Sequence, residues 1–281
     1  MSSTTLATPA KINLTLEILG KRPDGFHELK SIVLPVSLCD TITVMPRSDS
    51  VVTCETVGDG TDVAELYTLP LEKQLAVKAL RVMQNVCGVE TGADIRIVKR
   101  IPIGAGMGGG SADAVGTIRA LAKLWNFQFS IFNFQLFAAI GSDVPALIHG
   151  TPVLMEGRGE RTTPLPAYDP PLHFVIAFPG IAVSTKSVYE EYDRLSSLSS
   201  SNQTTGWKAC RTFHNDLEDT VFRLYPEVRQ LRDLLLSCGA RQAMVSGSGS
   251  AVFGVADDEN HAREIQSRLP SSLWTRTVKS V

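Results

Sequence analysis

A glycine-rich segment near the middle of the chain restricts the possible folds more than any other feature of the sequence. It reads PIGAGMGGGSADA over Pro102–Ala114, between a predicted strand that ends at Pro102 and a predicted helix at about Ser111–Trp125. Glycine permits positive φ and close approach of the backbone, so several N–H groups can converge on one small anion. The helix adds its unpaired N–H groups and the positive end of its dipole. The segment therefore predicts a phosphate site at a strand-to-helix junction.

A flexible turn, with Ser111 as an ordinary helix N-cap, is the simpler alternative for this segment. A turn needs only about one or two glycines, which supply positive φ at defined positions. This segment has five within seven residues: Gly104, Gly106, Gly108, Gly109 and Gly110. The number of glycines strongly favours phosphate binding.

The type of phosphate ligand is a separate question. Gly104, Gly106 and Gly109 satisfy the pattern GxGxxG, which a dinucleotide-binding fold places in its first βαβ unit, about 20 residues before an acidic residue. Here the pattern begins more than a hundred residues into the chain, and the stretch FQFSIFNFQ near position 130 has no acidic residue. The GxxxxGK[ST] P-loop is absent. A dinucleotide oxidoreductase is therefore a distant alternative, which NAD(P)H binding would test.

Composition excludes several other classes of protein. The chain has 281 residues, a formal net charge of -2, 43% hydrophobic residues and 20% charged residues. It is long enough for one large domain or two smaller ones, and too apolar to be disordered. A net charge near zero argues against a nucleic-acid partner. No apolar stretch approaches the roughly 18–20 residues that cross a bilayer, so we expect no membrane association.

The cysteines and the first residues indicate the compartment. The five cysteines are odd in number, far apart and without a CxxC pair: Cys39, Cys54, Cys87, Cys210 and Cys238. This pattern argues against a disulfide scaffold and against a zinc site. The sequence MSSTTLATPAKINL lacks the basic start and apolar run of a secretory signal. We therefore expect a cytoplasmic protein without a metal site built from its own side chains; the sequence predicts no oligomeric state.

The predicted elements mix strands and helices without a regular βαβ series. Alternation predicts a strand over Ile12–Ile18, with Lys11 and Asn13 on its polar face. Further strands are predicted at Ser31–Leu38, Thr41–Met45, Val51–Thr56, His173–Phe178, Gln242–Val245, Ala251–Val255 and Leu273–Val278. Further helices are predicted at Glu72–Val86, Ile131–Ile140, Pro226–Cys238 and Asp258–Leu269, and a mobile loop at Leu195–Gly206. This pattern favours an α+β fold in two parts, with the proline-rich PLPAYDPP at the junction.

Three other places could face a ligand. Lys11 and Asn13 lie within reach of one ligand, although a solvated strand face is the usual explanation for such residues. Asp143 follows a predicted helix end, where it is equally a turn or capping residue. The segment MVSGSGSAVFGV, over Met244–Val255, could be a β-hairpin turn, but two residues would suffice for that turn. A ligand-facing loop is therefore favoured there.

These segments resemble a known family. PAKINLTLEI, PIGAGMGGGSADA and VSGSGSAVFG are similar to the three ordered motifs of the GHMP small-molecule kinases. RPDGFHEL, GSDVP, GRGE, PGIAVST and NDLE agree with this resemblance, which runs from about residue 9 to 255 in the correct order. Within the family, the members that phosphorylate the methylerythritol moiety of a cytidine diphosphate-linked small molecule match best.

The resemblance implies a fold and a reaction. It implies a two-domain α+β GHMP kinase fold, with residues 1–160 as the N-terminal domain, residues 161–281 as the C-terminal domain, and the active site in the cleft between them. ATP would be the co-substrate, with Mg²⁺ carried mainly by the nucleotide, and the γ-phosphoryl group would pass to the 2-hydroxyl of the methylerythritol moiety. The resemblance also implies that Lys11 and Asp143 are the catalytic pair.

The resemblance assigns binding residues as well. The ATP-binding residues would be Pro102, Ile103, Gly104, Ala105, Gly106, Met107, Gly108, Gly109, Gly110, Ser111 and Ala112. The substrate-binding residues would be Asn13, Phe26, His27, Thr185 and Tyr189. His27 would hydrogen-bond the edge of cytosine and Tyr189 would cover its face, whereas a loop histidine that caps a turn is the alternative for His27.

Two residues depart from the family pattern. Ala112 stands where relatives commonly carry a second serine, and Phe26 stands where tyrosine is frequent. Neither has a role in proton transfer, so they affect substrate affinity and metal geometry rather than the class of reaction. The alternatives are another GHMP kinase, of the mevalonate, homoserine or galactose type, and a catalytically silent nucleotide-binding regulator on the same fold.

Overall fold

The structure is a computed structural model that describes residues 2–128, 134–198 and 213–281. In these ranges the strands are β1 Thr4–Lys21, β2 His27–Pro46, β3 Thr53–Gly58, β4 Ala93–Lys99, β5 Val153–Gly157, β6 Arg161–Pro164, β7 His173–Phe178, β8 His214–Asn215, β9 Ala243–Val245, β10 Val252–Ala256 and β11 Trp274–Lys279. The helices are α1 Ala64–Thr68, α2 Leu75–Cys87, α3 Gly109–Leu124, α4 Val144–Leu147, α5 Thr185–Leu198, α6 Glu218–Leu224, α7 Pro226–Ser237 and α8 Glu259–Ser267.

The strands form two sheets. The seven-stranded sheet has the order β3-β4-β2-β1-β8, with β5 paired to β2 and β6 paired to β5. The four-stranded sheet has the order β11-β7-β10-β9 and is antiparallel throughout. Only β3 with β4 and β1 with β8 are parallel pairs among the described strands. This segregated, mostly antiparallel arrangement confirms the predicted α+β class.

A long hairpin of β1 and β2 forms the centre of the larger sheet. Its register shifts between Pro9 and Ala10, and again between Asn13 and Thr15. Such irregularities let a strand bend and continue, so the two strands predicted at Ser31–Leu38 and Thr41–Met45 are one strand, β2.

Two large hydrophobic clusters lie on the two sheets. The larger cluster contains buried side chains of β1, β2 and β4 and of helices α2 and α3. It also contains Phe174 and Phe253 of the second sheet, whose rings meet edge to face at 5.7 Å between centroids. The other cluster joins the second sheet to helices α5 to α8. Because the larger cluster includes both sheets, the two sheets share a core. The division of the chain at residue 160 stays a prediction.

Most predicted elements lie within a few residues of observed ones, but one predicted helix differs in type. Residues 131–133 of the helix predicted at Ile131–Ile140 lie outside the described residues, and Phe134–Ala139 forms a 3₁₀ helix. Phenylalanine has low helix propensity, because its side chain loses rotamer freedom in an α-helix. Residues 195–198 of the predicted mobile loop belong to α5, and its residues 199–206 lie outside the described ranges. No helix in the described ranges has both the length and the apolarity to cross a membrane.

Candidate active site

The glycine-rich segment connects β4 to α3 and follows a strongly curved path. Gly104, Gly106 and Gly108 have φ angles of 66°, 73° and 68°, a region that favours glycine. The helix begins at Gly109, two residues before the predicted start, and no side chain caps it. The alternative in which Ser111 caps the helix is therefore wrong. The first N–H groups of α3 have no partner within the helix, as an anion site requires.

The second glycine-serine loop, between β9 and β10, contacts the first. Ser246 Oγ donates to the Gly106 carbonyl at 3.0 Å, and the Ala251 N–H donates to the Ala105 carbonyl at 3.0 Å. A Cβ atom on Gly106 would lie 2.2 Å from the Ser246 carbonyl oxygen, so only glycine permits this approach. The second loop is thus more than a hairpin turn, because it supports the loop predicted to bind phosphate.

Strand β1 brings a lysine to the first loop. The Lys11 N–H donates to the Met107 carbonyl at 3.0 Å. Its ammonium donates to Asn13 Oδ1 at 2.7 Å, and Asn13 Nδ2 donates to Ser31 Oγ at 2.8 Å. Lys11 and Asn13 are buried, so the alternative of a solvated strand face is wrong for both.

Asp143 faces this lysine from the start of α4. Its Oδ2 lies 3.5 Å from Lys11 Nζ, and the carboxylate side chain is 24% exposed against 5% for the lysine. The Asp143 side chain makes no capping hydrogen bond to α4, so the capping alternative is also wrong. The carboxylate is ion-paired and still accessible. An accessible carboxylate beside a lysine can accept a proton from a hydroxyl group.

One cavity of about 940 Å³ joins these parts. Both glycine loops, Lys11 and Asp143 line it, as do all the residues predicted to bind substrate, which are Asn13, Phe26, His27, Thr185 and Tyr189. Among the residues predicted to bind ATP, Ala112 is the exception, because it is buried in the larger hydrophobic cluster. A missing hydroxyl at Ala112 therefore lies on the core side of α3, away from the cavity.

Aromatic and polar side chains form another part of the cavity lining. The Tyr189 ring lies against the His27 ring, with 4.8 Å between centroids and 30° between planes. Burial raises the pKa of the Tyr189 hydroxyl above its usual value. Thr185 Oγ1 and Ser248 Oγ share a hydrogen bond of 2.8 Å. Phe26 is 51% exposed, with the Arg158 guanidinium 5.1 Å from its ring centre.

Family models and similar proteins agree with this architecture. The model for the GHMP kinases N terminal domain matches residues 74–151, and the model for GHMP kinases C terminal matches residues 193–274. A 4-diphosphocytidyl-2-C-methyl-D-erythritol kinase of Symbiobacterium thermophilum is 36% identical over 92% of this chain and 93% of its own length. The chain belongs to the GHMP kinase family.

Solved structures agree with this membership. A crystal structure of 4-(cytidine 5'-diphospho)-2C-methyl-D-erythritol kinase aligns with a TM-score of 0.80 and 31% identity over 99% of each chain. A homoserine kinase from Cytophaga hutchinsonii aligns with a TM-score of 0.69 over 100% of this chain and 95% of its own, but at 18% identity it shares the fold alone. The predicted two-domain GHMP kinase fold is confirmed, and this GHMP kinase uses ATP as its phosphoryl donor.

A second lysine in this GHMP kinase was not predicted as a site residue. Lys99 Nζ donates to Asp40 Oδ2 and to Asp113 Oδ2, both at 2.6 Å, and all three side chains are buried. A Cβ atom on Gly109 would lie 3.0 Å from this ammonium, so the triad lies directly beneath the first turn of α3. The signal was available, because Lys99 falls on the apolar face of β4 with Ile95 and Ile97.

Burial and the neighbouring charges together set the protonation of this triad. Burial raises the pKa of Asp113 from its usual 3.8 to about 7, although Lys99 opposes this shift. Burial alone would lower the pKa of Lys99, but Asp113 and Asp40 raise it above its usual value. One ammonium thus serves two carboxylates. Because the two carboxylates share one positive charge, that charge does not fully offset the cost of burying Asp113 in its ionised form.

Proposed function

We propose that this GHMP kinase transfers the γ-phosphoryl group of ATP to the 2-hydroxyl of 4-diphosphocytidyl-2-C-methyl-D-erythritol, giving the 2-phosphate and ADP. The reaction belongs to the non-mevalonate route to isoprenoid precursors. One observation carries the proposal: Lys11 and the accessible carboxylate of Asp143, 3.5 Å apart, share a cavity with the glycine loop. The similar kinases named above support the choice of acceptor.

Asp143 is the proposed general base. Its carboxylate accepts the proton of the 2-hydroxyl while the oxygen attacks the γ-phosphorus and the bond to the β-phosphate oxygen breaks. Phosphoryl transfer needs positioning and charge neutralisation more than covalent help from the protein. A positioned base contributes about 10²–10⁴-fold to such a reaction.

Lys11 is the proposed electrostatic partner. An opposite charge close to a carboxylate favours its ionised form, the form that accepts a proton. The ammonium also attracts the oxygens of the transferred group. Asn13 holds the ammonium through the bond of 2.7 Å to its Oδ1, so Asn13 acts on the pair as well as lining the cavity.

The glycine loop is the proposed phosphate site, with Mg²⁺ supplied by the nucleotide. No group of three or more histidine, cysteine, aspartate or glutamate side chains in the described ranges could hold a metal ion. Asp113 and Asp193 also line the cavity. Lys99 binds Oδ2 of Asp113, whose Oδ1 has no hydrogen-bond partner among the described residues, and Lys21 and His27 bind the two oxygens of Asp193. This donor set fits a cation that takes most of its ligands from phosphates and water. Bound there, Mg²⁺ would neutralise charge on the phosphate oxygens.

The part of the cavity lined by His27 and Tyr189 is the proposed site for the cytidine group. His27 and Tyr189 offer a polar edge and an aromatic face, which suit a flat base with hydrogen-bonding edges. Cys39, Cys54, Cys87 and Cys238 form no disulfide within the described ranges, which supports the proposal of a cytoplasmic location.

Incubation with ATP, Mg²⁺ and the proposed acceptor tests the function, with the product identified by phosphorus NMR. We expect a new phosphomonoester at the 2-position together with ADP. Parallel reactions with mevalonate, homoserine and galactose test the alternative of another GHMP kinase. Turnover with one of those acceptors alone would move the assignment to it, and no turnover with any acceptor would favour a silent nucleotide-binding regulator.

A further inference from the structure

A short chain of polar side chains supports His27 from outside the cavity. His27 Nε2 lies 2.7 Å from Asp193 Oδ1, and Lys21 Nζ donates to Asp193 Oδ2 at 2.6 Å. Lys21 and His27 are paired residues of the β1–β2 hairpin, whereas Asp193 comes from α5. Three elements therefore meet at this histidine. The sequence motifs assign no role to Lys21 or Asp193.

The chemistry of Asp193 determines which nitrogen of His27 carries the proton. Burial alone would raise the pKa of Asp193, but hydrogen bonds from Lys21 and His27 outweigh it and lower that pKa. An ionised carboxylate only accepts hydrogen bonds, so the His27 nitrogen that faces it carries the hydrogen. In the neutral ring, Nδ1 is then an acceptor. Within the described ranges Nδ1 has no hydrogen-bond partner, and His27 lines the cavity.

We propose that Asp193 is a specificity-determining residue that fixes His27 as a hydrogen-bond acceptor and so makes the site select cytosine over uracil. This inference rests on the proposed function. Cytosine presents an amino donor at the position where uracil presents a carbonyl acceptor. A fixed acceptor on the protein accepts a hydrogen bond from the cytosine amino group. Opposite the uracil carbonyl, the same acceptor faces another acceptor, with no hydrogen between the two atoms. An unpaired, desolvated acceptor is what rejects the wrong ligand.

The Lys21–Asp193 ion pair contributes little to folding stability, so an effect of Asp193 on specificity can be separated from an effect on stability. Asp193 is 30% exposed and Lys21 58% exposed, and ion pairs so exposed contribute little to stability. Asp193 fixes the tautomer of the His27 ring instead. Tyr189 lies against one face of His27, and the Tyr192 ring meets it edge-on at 6.3 Å between centroids. The ring therefore has limited freedom to turn its other nitrogen to the carboxylate.

The substitution Asp193→Asn inverts this arrangement. Lys21 has only donors, so it takes the single amide oxygen, and the amide NH₂ then faces His27 Nε2. Nε2 becomes the acceptor and Nδ1 becomes the donor. We expect the ratio of kcat/KM for the cytidine substrate to that for its uridine counterpart to fall about 10- to 100-fold. Thermal stability should hardly change.

Lys21 provides the matched control. In Lys21→Met, Asp193 still accepts from His27, so the preference for the cytidine substrate should stay. In the double variant Asp193→Asn, Lys21→Met the amide can rotate and present its oxygen to His27 again, which should restore part of the preference. A structural role for Asp193 predicts no such rescue, because the double variant has lost more contacts than the single one.

Nitrogen NMR of histidine-labelled protein gives an independent measurement. We expect the hydrogen of His27 on Nε2 in the wild type and on Nδ1 in Asp193→Asn, with the signal assigned by its loss in His27→Gln. Titration with CDP and UDP measures base preference even without turnover. If the wild type turns over neither substrate, the proposed function fails. If it turns over the cytidine substrate but Asp193→Asn keeps the ratio and the tautomer, the role of Asp193 is overturned while the function stands.

Discussion

Two lysines flank the glycine loop, and their carboxylate partners are arranged in opposite ways. Lys99 donates to Asp40 and Asp113 at 2.6 Å each, and its side chain is 2% exposed. Lys11 lies 3.5 Å from one oxygen of Asp143, whose side chain is 24% exposed. Lys99 with Asp40 and Asp113 is called the closed cluster here, because its distances are short and its side chains are buried. Lys11 with Asp143 is called the open pair, because its distance is longer and its carboxylate is accessible. Both lie against the same turn of backbone, at Gly108 and Gly109.

The difference is the one we expect between a structural ion cluster and a catalytic pair, which is the role proposed for Lys11 and Asp143. Asp40 Oδ2 accepts from Lys99, and its Oδ1 accepts from the N–H groups of Arg100 and Ile101. A carboxylate bonded in this way has little capacity left for a substrate proton. Asp143 keeps open lone pairs and access to the cavity, so it can act as a base. We therefore predict that the closed cluster governs folding and the open pair governs turnover.

Asp143→Asn should give the largest effect. An amide cannot accept the hydroxyl proton at neutral pH, so kcat should fall about 10²–10⁴-fold. ATP affinity should stay close to that of the wild type, because the glycine loop is unchanged. Steady-state kinetics and nucleotide titration measure the two quantities separately. A kcat near that of the wild type would remove Asp143 from the mechanism.

Lys99→Met and Lys11→Met test the comparison directly. Loss of Lys99 leaves the buried side chains of Asp40 and Asp113 without their cation, which should lower the free energy of unfolding by about 3–5 kcal/mol. Loss of Lys11 leaves Asn13 Oδ1 without its donor, which should lower the free energy of unfolding by about 1–2 kcal/mol. Asp143 adds little to this loss, because its carboxylate reaches solvent. Urea denaturation measures both. Equal losses of stability in the two variants would contradict the division into a structural and a reactive group.

The open pair was predictable from the sequence, and the closed cluster was not. Motif order identified Lys11 and Asp143, although local pattern alone placed Lys11 on a solvated face. That face is buried because the β1–β2 hairpin lies beneath the glycine loop, a tertiary contact that no alternation pattern contains. For Lys99 the position was predictable but the contacts were not. Its place on an apolar strand face was visible, but its partners lie 59 and 14 residues away in the chain.

The boundaries of helices and strands were likewise predictable only where the local sequence determines them. Strand His173–Phe178 was predicted to the residue, because its apolar run is short and bounded by prolines. The start of α3 was predicted two residues late, since Ser111 resembled a cap while Gly108 ends the loop in a left-handed conformation. Conformations that depend on contact between two loops are set by packing. Sequence periodicity does not report them.

Gly108→Val should disturb the open pair through the loop. Gly108 has a φ of 68°, and a Cβ atom there would lie 3.0 Å from Lys11 Cγ and 3.3 Å from Asp143 Oδ2. A branched residue both disfavours this conformation and fills the approach to the phosphates, so ATP affinity should fall by about tenfold or more.

Gly88→Val is the control for strain at Gly108. Gly88 has a similar φ of 63°, but no atom lies within 4 Å of an added Cβ. It ends α2 and is absent from the cavity lining. The Gly88→Val variant should therefore be less stable than the wild type but should bind ATP with the same affinity. Unchanged nucleotide binding in Gly108→Val would argue against a phosphate site at this loop.

Asp113→Asn should have the smallest effect and should appear only as a dependence on pH. The folded protein keeps a proton on Asp113 up to about pH 7, whereas the unfolded chain loses it near its usual pKa of 3.8. Between these values the folded state binds more protons, so this group makes the free energy of unfolding fall as pH rises. The asparagine variant should show a flatter profile from about pH 4 to 7. Parallel profiles would mean that Lys99 keeps both carboxylates ionised, and the closed cluster would then be fully paired without the buried proton.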